Sequence, residues 1–320
     1  MIVAVSVDME GASQLRSVRE IFACFPEYWA TGRPRLEADV AAACEGLLAG
    51  GADELVVMDH HGGNRINVRA ESLPVGARLE SWNAFDVRAH GVDAMFHVGY
   101  HARGGVDGFL SHTYVPGLRL RLDDELISEG HWRAWTVGAP LLGIVGNDRH
   151  LETLGSLAGT PYLVVQHSRG RGEMTPVHDD PAEGLDAIRD FAERCARDAG
   201  SAPTFAIQEG ATFGASLPNG DAVGETMKGG GWTRVGKVEY EVELETWESA
   251  RAPLDAAMGA GMAPYFPYWL GSFDTADDAA AADQERVAVA REVFDAWGAE
   301  SQPQWYSESA DPLPRGFHRD

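Results

Sequence analysis

Short runs of apolar, mostly β-branched residues alternate with longer amphipathic stretches through the first two hundred positions, and the first three runs end on or beside an acidic residue or a histidine. The runs Ile2–Val7, Glu54–Met58, Ala94–Gly99, Leu141–Val145 and Tyr162–Gln166 read as strands. The stretches Leu36–Leu48, Ile127–Thr136, Arg149–Ala158 and Ala182–Asp198 read as helices, the first of them stopped by Gly50-Gly51. Apolar runs alternating with helices imply βαβ units and a mainly parallel sheet flanked by helices, an α/β fold.

Near Ser201-Ala202-Pro203 the texture changes. Phe205–Ile207, Gly220–Thr226 and Val238–Leu244 read as strands and Thr246–Ala260 as a helix, with Gly229-Gly230-Gly231 as a turn between them. The expected organisation is an α/β catalytic domain over 1–200, a smaller appended α+β unit over 201–265, and a C-terminal extension or arm over 266–320 that carries Phe266, Tyr268, Trp269, Trp297, Trp305 and Tyr306.

Acidic residues outnumber basic ones by 49 to 26, for a formal charge of -23. A surface of that sign repels phosphate backbones and anionic lipid, so nucleic acid and membrane surfaces are not expected partners. No basic leader precedes the first strand, and no stretch reaches the roughly 20 apolar residues of a membrane helix. Cys24, Cys44 and Cys195 are odd in number, with neither disulfide-framework nor zinc-finger spacing. They read as reduced packing residues of a cytoplasmic protein.

The chemistry sits where the runs end. Asp8 and Glu10 follow the first strand in Asp8-Met9-Glu10-Gly11, and the two-residue period of a strand points both carboxylates the same way. Taken alone, the pair is also what an exposed strand-to-loop turn would show. The second strand ends in Asp59-His60-His61-Gly62-Gly63-Asn64 and the third in Gly99-Tyr100-His101-Ala102-Arg103. One histidine is ordinarily a packing residue, but three strand ends that each deliver His, Asp or Glu to the carboxyl edge of a parallel sheet are hard to assign to packing. Neutral imidazole with carboxylate suits zinc, and two ions can share a bridging carboxylate.

In this order and spacing the motifs Asp8-Met9-Glu10-Gly11, Asp59-His60-His61-Gly62, Gly99-Tyr100-His101-Ala102-Arg103, Ser111-His112-Thr113, Ser128-Glu129 and Gly146-Asn147-Asp148-Arg149 resemble those of the DppA-type D-aminopeptidases, which are binuclear zinc metallopeptidases. The resemblance runs from residue 1 to about residue 260. It implies that Asp8 bridges two zinc ions, that Glu10, His61, His101 and Glu129 complete their coordination, and that His112 acts in catalysis beside them. His61 rather than His60 matches the family's spacing from Asp59, which leaves His60 as a supporting or substrate contact and Asp59 as a group that orients a ligand imidazole. Asn64 and Arg103 match recurrent family positions. The implied activity is hydrolysis of a peptide or other small amide by metal-activated water, and the implied assembly is a homo-oligomer on the pattern of the family's ring-stacked decamer.

The sequence departs from the family in the doubled His60-His61, in Leu122-Asp123-Asp124-Glu125-Leu126, where an Asn-Gly type turn is usual, and in the C-terminal extension. The alternatives are hydrolysis of a non-peptide amide and a dinuclear phosphoesterase, for which Arg65, Arg103 and Arg149 are candidate phosphate contacts. Nucleophilic serine chemistry lacks its Gly-x-Ser-x-Gly elbow.

Overall fold

The computed structural model describes residues 1–62, 66–115, 118–217 and 221–262, with residues 288 and 291. Asn64, Arg65 and, apart from those two positions, the C-terminal extension lie outside the described residues.

Seven strands form one sheet: β1 (Ile2–Val7), β2 (Glu54–Asp59), β3 (Ala77–Leu79), β4 (Ala94–Tyr100), β7 (Leu141–Asn147), β8 (Tyr162–Ser168) and β9 (Met174–Pro176). Their order is β3-β2-β1-β4-β7-β8-β9, parallel throughout except for the antiparallel edge strand β9. β5 (Arg119–Leu122) and β6 (Glu125–Ile127) belong to a second sheet. The first strand is buried on both faces, which is why it reads as a continuous apolar run rather than an alternation. Val3, Val5 and Val7 face the core under helices α1 (Pro26–Ala49) and α5 (Pro181–Arg197). Ala4, with Val56, Met58 and Ile144, packs on the opposite side against α2 (Ala84–Ala89) and α3 (Glu129–Val137). These covered faces make the chain an α/β protein, as the pattern of its runs implies.

From β1 the chain steps outward to β2 and β3, then returns to lay β4 on the other side of β1. Strand order reverses between β1 and β4, and in such sheets the crevice for a ligand opens beyond the carboxyl ends at that point. Asp8 and His101 are the residues immediately after those two strands.

The two strand ends cross at very short range. Gly11 N–H donates to Gly99 O, and a Cβ on Gly11 would lie 2.1 Å from Tyr100 O. Gly99 itself has φ +77° with Asp8 O on its side-chain side. Only glycine fits such a crossing. Gly11→Ala should therefore cost about 3 kcal/mol, the upper end for forcing extra volume into a packed site, read as a lower denaturation midpoint of the metal-free protein.

The second, antiparallel sheet runs β11 (Thr233–Arg234), β12 (Glu239–Leu244), β10 (Ala211–Ser216), β5, β6. Helices α6 (Asp221–Gly229) and α7 (Arg251–Met262) pack beside it around Phe213, Leu244, Met227, Leu254 and Ala257. The sequence reading places this unit in 201–265, but the sheet also takes β5 and β6 from the earlier part of the chain. Their hairpin turns through Asp123-Asp124, with Leu122 opposite Glu125 and Asp123 at φ +51°. The aspartate thus takes the left-handed role that Asn-Gly has elsewhere.

Four local expectations are corrected. Gly220–Thr226, read as a strand, falls in helix α6 from Asp221 onward, because the spacing that packs is the four residues between Val223 and Met227. Phe205–Ile207 makes no strand; that place in the sheet goes to Ala211–Ser216. Arg149–Ala158, read as one helix, gives a single turn, α4 (Asp148–Leu151), and a short 3-10 turn at Gly155–Leu157, where Gly155 takes φ +47°. Helix α1 starts ten residues before the expected Leu36 and carries Pro34 inside it. Among the described residues no helix is long and apolar enough to cross a membrane.

Candidate metal centre

Asp8 and Glu10 leave the end of β1 buried, at 2% and 1% exposure. His61 comes after β2 in a loop fixed by Asp59, whose carboxylate accepts from the backbone N–H groups of His61 (3.1 Å) and Asn67 (2.6 Å). Asp59 therefore orients the loop through its backbone, not the imidazole ring directly. His101 comes directly after β4. His112 sits in the loop beyond it, between Leu110 (φ 41°) and Tyr114 (φ 61°), a strained stretch of the kind that collects at functional sites. Glu129 is the first residue of α3, whose Ser128 caps it by accepting from His131 N–H. Trp132 of the same helix stacks on Phe213 at 4.9 Å, so the core of the second sheet anchors the helix that presents Glu129.

The fold brings all six of these residues together. His61 Nδ1 lies 3.1 Å from Glu10 Oε2 and 3.5 Å from Asp8 Oδ1. His101 Nε2 lies 3.5 Å from Asp8 Oδ2, and His112 Nε2 3.8 Å from Glu129 Oε1 and 4.0 Å from Glu10 Oε1. Each imidazole uses its other nitrogen on a backbone carbonyl: His61 on Ile21 O (3.2 Å), His101 on Ala102 O (2.9 Å) and His112 on Leu110 O (2.7 Å). A carbonyl only accepts, so those nitrogens carry protons, and the ones facing inward, once deprotonated, present lone pairs to carboxylate oxygens. Acceptors facing acceptors at such distances repel unless a cation, either a proton or a metal ion, lies between them. Asp8 Oδ2, buried and without a hydrogen-bond partner, fits a cation held at this point. The donor set of imidazole nitrogen and carboxylate oxygen fits zinc, with the second imidazole nitrogen on a carbonyl as metal-bound histidines usually have it.

Proton affinities reflect the same crowding. Burial alone would raise the Asp8 carboxyl, but His101 and His61 beside it hold it well below the usual carboxylate range. Burial lowers His101, yet Asp8, Glu10 and Glu129 outweigh it and push it up to about 9. Glu129 is pushed up to about 7 by burial and by Asp8, with Arg133 acting against them. Burial, and then His101, hold His112 well below its usual value, so it is neutral at pH 7.

His60 lines the same cavity but stands outside the cluster. Its Nδ1 meets Ser6 Oγ at 2.8 Å and its Nε2 meets Trp82 O at 3.2 Å, so both ring nitrogens are engaged. Ser6 Oγ also pairs with Tyr100 Oη (2.6 Å), which accepts from Arg133 Nη1 (2.8 Å). Since Trp82 O fixes the Nε2 proton, donation runs one way from Arg133 through Tyr100 and Ser6 to His60. Arg133, 3.6 Å from Glu129 Oε2, and the backbone N–H of Tyr114, which donates to Glu129 Oε1, hold that carboxylate from two sides. Sequence reasoning missed both; four-residue spacing from Glu129 was the available signal for Arg133. Arg103 donates to Gly104 O and Arg149 pairs with Glu152, and neither lines the cavity.

The cluster floors a cavity of about 400 Å³, whose remaining lining includes Asn83, Phe85, Tyr114, Trp132, Arg133, Leu254 and Met258. A parallel sheet that gathers acidic and imidazole groups beyond its switch point, at the floor of a cavity, is the build of a metal-dependent hydrolase. The family comparison gives the particular kind: the family model described as D-aminopeptidase matches residues 1–255, and the chain belongs to that peptidase family. Among solved structures it is similar to the Zn-dependent D-aminopeptidase DppA from Bacillus subtilis, a self-compartmentalizing protease, with a TM-score of 0.73 and 19% identity over 81% of this chain and 98% of that one. Comparison with curated protein sequences gives no significant match.

Proposed function

We propose that this chain is a zinc-dependent aminopeptidase that releases amino-terminal residues of D configuration from short peptides or related small amides, with two zinc ions per chain. One observation carries the reading. The groups able to hold an ion include Asp8–Glu10–His61 and Asp8–His101–Glu129, two triads with only Asp8 in common. That partition supports a pair of ions bridged by Asp8, with Glu10 and His61 on one and His101 and Glu129 on the other. The zinc dependence of the Bacillus subtilis relative supports the choice of metal, and its self-compartmentalizing nature supports assembly as a homo-oligomer, a decamer on the family pattern. A cytoplasmic setting fits three buried cysteines, none in a disulfide.

When bound, the ion pair supplies Lewis-acid polarisation of the scissile carbonyl and makes water acidic enough to attack near neutral pH. The chain does the rest. Asp8, Glu10, His61, His101 and Glu129 fix the ions, and Asp59, Arg133 and the Tyr114 amide keep His61 and Glu129 in place. His112 is neutral, its Nδ1 proton is committed to Leu110 O, and its Nε2 faces the cavity floor. Nε2 can therefore take a proton from the attacking water and return it to the leaving amine. Of the arginines named for the phosphoesterase alternative, Arg103 and Arg149 are turned to other partners and Arg65 lies outside the described residues, while Arg133, which lines the cavity, is paired with Glu129.

Elemental analysis of purified protein, followed by a dipeptide panel in both stereochemical series, tests the reading. It predicts zinc near two per chain and faster cleavage after D residues; protein that takes up no divalent metal, or that cuts only after L residues, counts against it. Zinc titration of the metal-free protein at pH 7 should release protons, because His101, raised to about 9, is still protonated there and must lose its proton to bind. Apparent zinc affinity should accordingly fall as pH is lowered, measured by calorimetry in buffers of different ionisation enthalpy.

A further inference from the structure

The cavity has two unlike sides. Its floor is acidic and imidazole-lined, while another wall is built from Phe85, Trp132, Leu254 and Met258. That wall is braced from behind: Trp132 stands edge-on to Phe85 at 6.3 Å and stacks on Phe213, and Phe85 stacks on Trp247 at 5.7 Å. Arg251, Leu254, Asp255 and Met258 fall at i, i+3, i+4 and i+7, so they share the face of α7 that lines the cavity. Leu254 is buried and Met258 half-buried, whereas Arg251 and Asp255 are exposed, so the apolar pair forms the inner part of that face. A braced apolar wall in the same cavity as a hydrolytic floor has one clear use, to desolvate a substrate side chain while its amide reaches the floor.

We propose that Phe85, Trp132, Leu254 and Met258 form a side-chain subsite that selects a bulky apolar residue, of leucine or phenylalanine size, on the amino-terminal side of the scissile bond, in preference to alanine. The proposal rests on the aminopeptidase reading. A methyl group would leave most of a cavity of about 400 Å³ wet, whereas a branched or aromatic side chain covers the wall and displaces that water.

The test uses the full-length, zinc-loaded protein with D-leucine and D-alanine para-nitroanilides, whose leaving groups are identical. The leucyl compound should be preferred in kcat/KM by roughly ten- to two-hundredfold, the range an apolar pocket draws from added methylenes. Met258→Asp should collapse that ratio toward unity and Met258→Leu should keep it, with zinc content as the check that each variant is folded. If Met258→Asp fails to load zinc, Met258→Trp serves instead, since filling the cavity lowers the ratio by the opposite route. A wild-type enzyme that cuts the alanyl compound as fast as the leucyl one overturns the subsite and leaves the aminopeptidase reading standing. A ratio unchanged in the folded Met258→Asp protein overturns it too. Zinc-loaded protein inert toward both compounds overturns the aminopeptidase reading and the subsite with it.

Discussion

Asp8→Asn should empty the site: zinc falls from near two per chain to near none, and turnover falls with it by roughly three to four decades, the equivalent of several kcal/mol of metal-supplied stabilisation. Asp8 is the residue the two proposed triads share, so its charge would bear on both proposed ions, whereas His61 belongs to one group only. The substitution keeps the shape of the side chain and leaves an oxygen for the Met9 amide, which Asp8 Oδ1 accepts at 2.9 Å. The local turn therefore has no reason to rearrange, and loss of metal can be separated from loss of fold. His101→Ala makes the companion case, because it strips one triad while leaving Asp8–Glu10–His61 intact. Elemental analysis should then find about one ion where the wild type has two, with activity lost nonetheless, because chemistry that needs a bridging pair fails with a single ion. Two zinc ions and full turnover in either variant would refute the ligand assignment.

How much of the fold and site the chain reveals depends on how local each signal is. Asp8, His61 and His101 are legible because a parallel strand buried on both faces reads as an unbroken apolar run, and the residues just past such a run lie at the edge where sites form. Glu10 comes with Asp8 through the two-residue period. His112 and Glu129 carry no such mark and are reached through resemblance. Only the fold shows why they belong, since the His112 loop and the N-terminus of α3 must cross to the ends of β1 and β4. The β5–β6 hairpin leaves only a short trace, the Arg119-Leu120-Arg121-Leu122 alternation before Asp123, too brief to stand out as a strand. Helix α6 misleads because Gly220–Thr226 is short enough to suit either period, and its packing partner α7 lies thirty residues on. The apolar wall is wholly illegible. Leu254 and Met258 look like any amphipathic helix, and nothing local indicates that this face covers a cavity floored by Asp8.

His112→Ala should divide the two roles a histidine can have in such a place. Its Nε2 also belongs to a third group that could hold an ion, Glu10–His101–His112, so its position alone is compatible with ligation. Glu10 and His101, however, already complete separate triads with Asp8, which leaves His112 beside both and required by neither. Burial, and next the His101 charge, keep it neutral, as a group that accepts a proton must be. Zinc should thus remain near two per chain while kcat falls by about two to four decades, the span expected for a general acid–base residue, with KM little changed because the lost interaction is made only in the transition state. The pH–rate profile should change as well: the acidic limb contributed by His112 should disappear, leaving the weaker dependence set by metal loading. Zinc falling to one per chain would make His112 a ligand, and undiminished kcat with two ions bound would remove it from the reaction altogether.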